Sequence, residues 1–315
     1  DDPENCIYAK DVADVARKFG WFEGKNEDFS FAEAYAPADF SALRGCEARV
    51  WAFFRTVAEG MDKYEDYAMG YNPENRMPLW VKPTEKVSPK LLMDCMRDHY
   101  EGTKMDMTQD IGAGGEGCPY RWRPMFFEVD GVEYCNERAT ATQQTGFWLV
   151  GQARPNKVGI LWFGTDDAAT SPLTPIYVNS TEVPWCLSEE NGSMLKYSDS
   201  SMFWITNRVA QFAYLRYNTV GKRVRSEVDK WENAMIEYVK DIDMAIASKP
   251  KKAAKIATEF SVKSAEILFN YWVELDKYLM VKYIDGNVKG EDANGFIDNG
   301  NGKDKTEQSE GVYGE

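Results

Sequence analysis

The sequence predicts an α+β fold in which helices and strands are segregated along the chain. Three observations carry this. Apolar residues recur at helical spacing over residues 8–100 and again from 199 to 283. Short β-type runs are confined to the middle third. Alternating βα units are absent, so a parallel doubly wound sheet is excluded.

The elements follow in order. Residues 8–20 place Val12, Val15, Ala16 and Phe19 on one helical face, with Gly20 as the stop. A second helix is expected over 38–60, carried by Ala42, Cys46, Val50, Phe53, Phe54 and Val57 and ended by Gly60. Residues 61–87 mix Tyr, Pro, Asn and Gly and read as irregular. Ser88-Pro89 opens a helix through about Tyr100, with proline in its first turn.

After Gly112-Ala113-Gly114-Gly115 come β-type runs at 125–129, 132–136, 140–153, 158–164 and 174–179. Asp130-Gly131 marks a hairpin between the first two. Thr145 to Val150 is apolar enough to suggest a central strand or one covered on both faces. Helices are expected over 199–218, 222–248 and 252–283, the last amphipathic through Ile256, Phe260, Leu268, Trp272, Leu275 and Leu279. One portion therefore spans 1–284, and 285–315 is predicted to be a flexible polar tail.

Composition narrows function. The 315 residues carry 37 Lys and Arg against 51 Asp and Glu, a net charge of −14. A nucleic acid or an anionic membrane is thereby disfavoured as the main partner. No run approaches ~18 apolar residues, so no spanning segment is expected. The single histidine, His99, cannot build a multi-histidine metal centre, and no metal or cofactor is expected. The six cysteines contain no C-x-x-C pair, though Cys118 and Cys135 could bridge a hairpin. Two three-residue sequons, at Asn179 and Asn191, leave the compartment open between cytoplasm and periplasm or exterior. The chain opens Asp1-Asp2-Pro3-Glu4-Asn5, without Met or a signal-type leader, which reads as the interior of a longer protein.

Few residues suggest chemistry. His99 is expected on a helix as an ordinary, partly exposed side chain. A thiolate nucleophile needs a base, a cation or a helix N-terminus; Cys135, beside Asn136 and near Arg138, has the least ordinary setting. The acidic residues from Asp285 to Asp298 lack the spacing of a calcium loop. Polar groups in apolar context stand out instead: Asn136, Arg138, Gln143 and Gln144 around the apolar strand, and Asn207 and Arg208 after Phe203-Trp204. Such groups either lock sheet to helix or hold a substrate carboxylate.

Several segments together resemble the PepD-type dipeptidases, N-terminal nucleophile cysteine peptidases related to the secernins. They are His99-Tyr100-Glu101-Gly102-Thr103 with Asp106 and Met107, Tyr120-Arg121-Trp122-Arg123-Pro124, and Asn136-Glu137-Arg138-Ala139-Thr140 through Gly146. Gly159 to Gly164, Thr174-Pro175-Ile176-Tyr177 and Phe203 to Arg208 continue the pattern, with Asn5-Cys6-Ile7-Tyr8 and Ala48-Arg49-Val50-Trp51 upstream. The resemblance runs in order over about residues 3–218 and more weakly beyond.

It implies an αββα sandwich, with antiparallel sheets between helical layers, and a cysteine nucleophile whose own α-amine acts as base. An α-amine titrates near neutrality beside the thiol, so no histidine is required. Asp1 cannot be that nucleophile. The resemblance therefore implies that this is the C-terminal portion, with no catalytic residue of its own and the nucleophile upstream of Asp1. The chain by itself is then expected to be inactive. Expected partners are a dipeptide, the nucleophile-bearing portion and, through the long helices, a second copy. Arg138, Asn207 and Arg208 are the candidates for substrate binding or cleft bracing. The alternative is a non-catalytic glycan- or peptide-binding protein stacking ligand on Trp80, Trp122 or Trp185.

Overall fold

The computed structural model describes residues 6–297, which pack as two compact units divided between Lys86 and Val87. In the first unit α1 (Val12–Lys18), α2 (Phe31–Tyr35), α3 (Phe40–Ala42), α4 (Ala48–Val57) and α5 (Glu65–Ala68) surround Trp51 and Tyr67. Ser30 and Asp39 cap α2 and α3, accepting from the amides of Glu33 and Ala42. A π-helical turn, Leu43–Glu47, joins α3 to α4. The extra residue in that turn rotates the apolar stripe. Cys46 and Val50, expected inside, are exposed, and Leu43, Ala48, Trp51 and Ala52 are buried instead. Gly60 ends the run in a left-handed conformation, φ 74°.

The second unit opens with α6 (Pro89–Cys95), whose N-terminus is capped by Ser88 Oγ accepting from the Leu91 amide at 3.1 Å. The helix stops at Cys95, short of the expected Tyr100. Tyr100 takes φ 65° and is held there by its amide on Asp98 Oδ1 and its hydroxyl on the Arg138 carbonyl. His99 is therefore neither helical nor partly exposed; it is buried, at 1% exposure.

β1 (Phe126–Val129) and β2 (Val132–Cys135) form the expected antiparallel hairpin, with Asp130 and Gly131 both at positive φ in the turn. No disulfide joins Cys118 to Cys135. β3 (Phe147–Gln152), β4 (Ile160–Thr165) and β5 (Thr174–Tyr177) form an antiparallel sheet in that order. The strand expected over 140–153 begins only at Phe147. It is also an edge strand rather than a central one. Trp148 and Val150 are buried, whereas Phe147 and Leu149 face outward.

The buried face of this sheet meets the long helices. α7 (Met202–Leu215) leads through a π-helical turn, Tyr217–Gly221, into α8 (Lys222–Ser248), and α9 (Ala253–Tyr283) follows. Trp231 Nε1 on α8 donates to the Leu173 carbonyl at 3.1 Å. The Tyr177 amide donates to Ser261 Oγ on α9 at 3.0 Å. The apolar core runs from Trp148 and Trp162 through Val209 and Val228 to Leu268 and Trp272. A second hairpin, β6 (Glu291–Asp292) with β7 (Gly295–Phe296), lies in the segment read as a polar tail; 298–315, like 1–5, lies outside the described residues.

The α+β class holds, with every strand pair antiparallel. One buried ion pair fixes the loop after β4. Arg97 grips Glu232 of α8 at 2.6 Å and donates to the carbonyls of Ala168 and Ser171, while Glu232 accepts from the Leu173 amide. Its guanidinium also lies 4.7 Å over the Trp148 ring.

Candidate active site

The end of β4 gathers the buried polar groups. Gly164 is the last tight fit: a Cβ there would stand 2.7 Å from the Pro172 carbonyl and 2.9 Å from Trp148 Nε1. Thr165 hydrogen-bonds Thr206 of α7 at 3.1 Å. Asp166 then takes φ 69°, a left-handed conformation that Asp and Asn tolerate better than most side chains. Its amide still donates to the Gly146 carbonyl, so the turn is anchored to β3.

Asp166 Oδ1 accepts from Asn207 Nδ2 at 2.9 Å, and Oδ2 is buried without a hydrogen-bond partner among the described residues. Burial pushes this carboxyl up to about 7; the Asn207 bond opposes the shift and the neighbouring Asp167 charge adds to it. Asp167 is also fully buried. It accepts from the Tyr120 hydroxyl, from Thr170 Oγ1 at 3.3 Å and from the Ala169 amide at 3.2 Å. Burial raises its carboxyl too, against the pull of His99 and Tyr120.

Aromatic rings close the cluster. Tyr120 packs on Tyr214 with centroids 4.5 Å apart and meets His99 edge-on at 5.4 Å. His99 Nδ1 lies 2.9 Å from Glu101 Oε1, while His99 Nε2 and the Tyr214 hydroxyl are buried without partners among the described residues. Burial and the nearby Asp167 hold the Tyr214 and Tyr217 hydroxyls well above the usual tyrosine range. A carboxyl titrating near neutrality can hold or release a proton at working pH.

Thr165 also borders an open apolar cleft of about 290 Å³, shared with Phe147, Phe163, Leu187, Met194 and Phe203. Trp204 pins one side of it by donating to the carbonyls of Ser193 and Lys196.

Of the three residues singled out in the sequence, only Asn207 joins this cluster. Arg208, next on α7, turns to α9 and pairs with Asp276 at 2.7 Å, with Tyr197 at 3.3 Å. Arg138 is exposed and lines a separate narrow groove with Arg121, Arg123 and Gln143. Asp166, Asp167, Tyr120 and Tyr214 were not anticipated. Their signal was two adjacent acids in an apolar, hydroxyl-rich stretch between two strand-type runs, Gly159–Gly164 and Thr174–Tyr177.

Among the described residues no group of three His, Cys, Asp or Glu side chains is placed to hold a metal ion. No described helix is long and apolar enough to cross a membrane. Cys118 and Cys186 are poor nucleophiles, since burial raises both thiols, Cys186 to about 12.

The model of peptidase family C69 matches residues 1–230. The probable dipeptidase B of Streptococcus pyogenes serotype M1 is 23% identical over 294 residues, covering 92% of this chain and 55% of that protein. The serotype M18 protein of the same name is 22% identical over 275 residues, covering 85% and 51%. The chain thus spans about half the length of the curated relatives it matches.

Proposed function

We propose that this chain, which belongs to peptidase family C69, is the C-terminal portion of a cysteine-type dipeptidase. The observation that carries the reading is the family match, which runs from the first residue across the β3–β5 sheet and into α8. The names of the similar proteins supply the substrate class, a dipeptide.

In this reading the whole protein is an N-terminal nucleophile hydrolase with an αββα sandwich. The nucleophile is a cysteine contributed by a preceding portion, and its α-amine takes up the thiol proton. Attack on the peptide carbonyl forms an acyl-enzyme and releases the C-terminal amino acid, and water then frees the N-terminal one. Thr165 borders the cleft, whose apolar rim of Phe147, Phe163 and Phe203 accommodates a side chain of the dipeptide. Arg138, exposed in its own groove apart from this cleft, is the residue proposed for the substrate carboxylate, and Arg208 braces α7 against α9. The cysteines buried in this chain are structural.

The test is hydrolysis of a panel of dipeptides, followed by amine release, using the product of the complete reading frame and this chain separately. Hydrolysis by the former alone supports the reading. A protein that instead binds oligosaccharides through the exposed Trp122 indole, with no hydrolysis, favours the binding-protein alternative.

A further inference from the structure

We propose that the cleft beside Thr165 is a selectivity pocket that admits an apolar side chain of a dipeptide and turns away a charged one, and that Met194 sets which side chains enter. The inference rests on the dipeptidase reading above and adds which dipeptides the site takes.

The cleft, of about 290 Å³, is assembled from separate elements. Phe147 and Phe163 come from β3 and β4, Cys186 and Leu187 from the short helical turn Trp185–Leu187, and Phe203 from α7. The polar part of the lining is small hydroxyl side chains and glycine backbone. Among the described residues that line it none carries a charge, although 28% of the chain is Asp, Glu, Lys or Arg. Burial pushes the Cys186 thiol up to about 12, so it stays neutral as well. A carboxylate or ammonium entering here gives up hydration and meets no opposite charge. An apolar side chain exchanges water for aromatic and leucine contacts. The volume lies at the lower end of ligand pockets, roughly 300 Å³, which suits one side chain rather than an extended peptide.

A clip positions Met194. Trp204 Nε1 donates to the carbonyls of both Ser193 and Lys196, each at 3.1 Å, so one indole holds the turn on either side of Met194 and Leu195. Asn191 closes the base of the same loop. Its Nδ2 donates to the Trp185 carbonyl at 2.6 Å, and its Oδ1 accepts from Ser200 Oγ at 2.6 Å. The loop backbone is thereby fixed, while the Met194 side chain is 69% exposed and lines the cleft. An unbranched thioether reshapes around guests of different size, which the aromatic rings cannot do. Glu189 and Glu190 lie on this loop too, but they are exposed and outside the lining. One adaptable apolar residue facing aromatic ones favours breadth among apolar side chains and discrimination against charge.

The test offers the product of the complete reading frame two dipeptide series, X-glycine and glycine-X, with X leucine, phenylalanine, lysine or glutamate. In one series kcat/KM for leucine and phenylalanine should exceed that for lysine and glutamate about 30-fold or more. Met194→Asp should cut the leucine-to-lysine ratio about tenfold or more, whereas Met244→Arg, on the exposed side of α8, should leave it unchanged. A ratio does not respond to a general loss of active protein, so misfolding cannot imitate the effect. Binding is read separately on the 315-residue chain carrying labelled methionine methyl groups. N-acetyl-leucinamide should shift the Met194 resonance, and N-acetyl-lysinamide should not. The proposal is overturned by equal kcat/KM for apolar and charged side chains in both series, by a ratio indifferent to Met194→Asp, or by a Met194 response no greater for the leucine probe than for the lysine one. Hydrolysis without selectivity overturns the pocket and leaves the peptidase reading standing. A selective Met194 shift in a protein that hydrolyses no dipeptide refutes the peptidase reading and leaves the pocket intact.

Discussion

Asn207, on α7, donates through Nδ2 to Oδ1 of Asp166, 2.9 Å away, at the point where β4 gives way to a left-handed turn. The bond joins a half-buried helix residue to a fully buried carboxyl at a strand end. Burial of the Asp166 carboxyl, which this bond only partly offsets, couples this corner of the fold to pH.

The sign of that coupling is definite. Asp166 binds its proton more tightly when folded, at about 7 against 3.8 for an ordinary aspartate carboxyl. The folded chain therefore holds more protons than the unfolded one between these values, and its stability falls as pH rises from 4 to 7. Three pH units correspond to a loss of at most about 4 kcal/mol. Asp167 shifts in the same direction. Asp166→Asn tolerates the turn and should flatten much of the slope, measured as melting temperature of the chain against pH.

The Arg97–Glu232 pair should behave as a buried ion pair. Arg97→Ala leaves the buried Glu232 beneath the Asp166–Leu173 loop with Lys90, 3.8 Å away, as its remaining ion-pair partner. Urea unfolding should show a loss of about 3–5 kcal/mol.

Gly164 has no room for a side chain. Gly164→Ala drives a methyl toward the Pro172 carbonyl and the Trp148 ring. The expected cost is about 1–3 kcal/mol, with reduced near-ultraviolet dichroism from Trp148 as the local signature.

Arg138 separates structure from substrate binding. Its side chain is exposed, so Arg138→Lys should leave the melting temperature unchanged. If the fork holds a substrate carboxylate, the lysine variant of the complete protein should raise KM about tenfold with kcat retained, since lysine cannot replace a bidentate contact. Unchanged KM would assign Arg138 no part in binding.

Much of this architecture was legible in residue order. The long helices follow from uninterrupted 3.6-residue periodicity, and the β1–β2 hairpin from Asp130-Gly131. Local geometry that periodicity cannot encode accounts for the differences. One extra residue in the Leu43–Glu47 turn exchanged Val50 for Trp51 in the core. The bonds of Tyr100 to Asp98 and Arg138 ended α6 early and carried His99 inside. The apolar composition of β3 suggested cover on both faces, and that face is open in this chain. Asn207 was visible as a polar residue in an apolar helix. Its partner Asp166 lies 41 residues away, a contact that no local pattern specifies.

The most direct test of the account is dipeptide hydrolysis by this 315-residue chain alone, compared with the product of its complete reading frame. The account predicts turnover only when the nucleophile-bearing portion is present. Turnover by the isolated chain would contradict it.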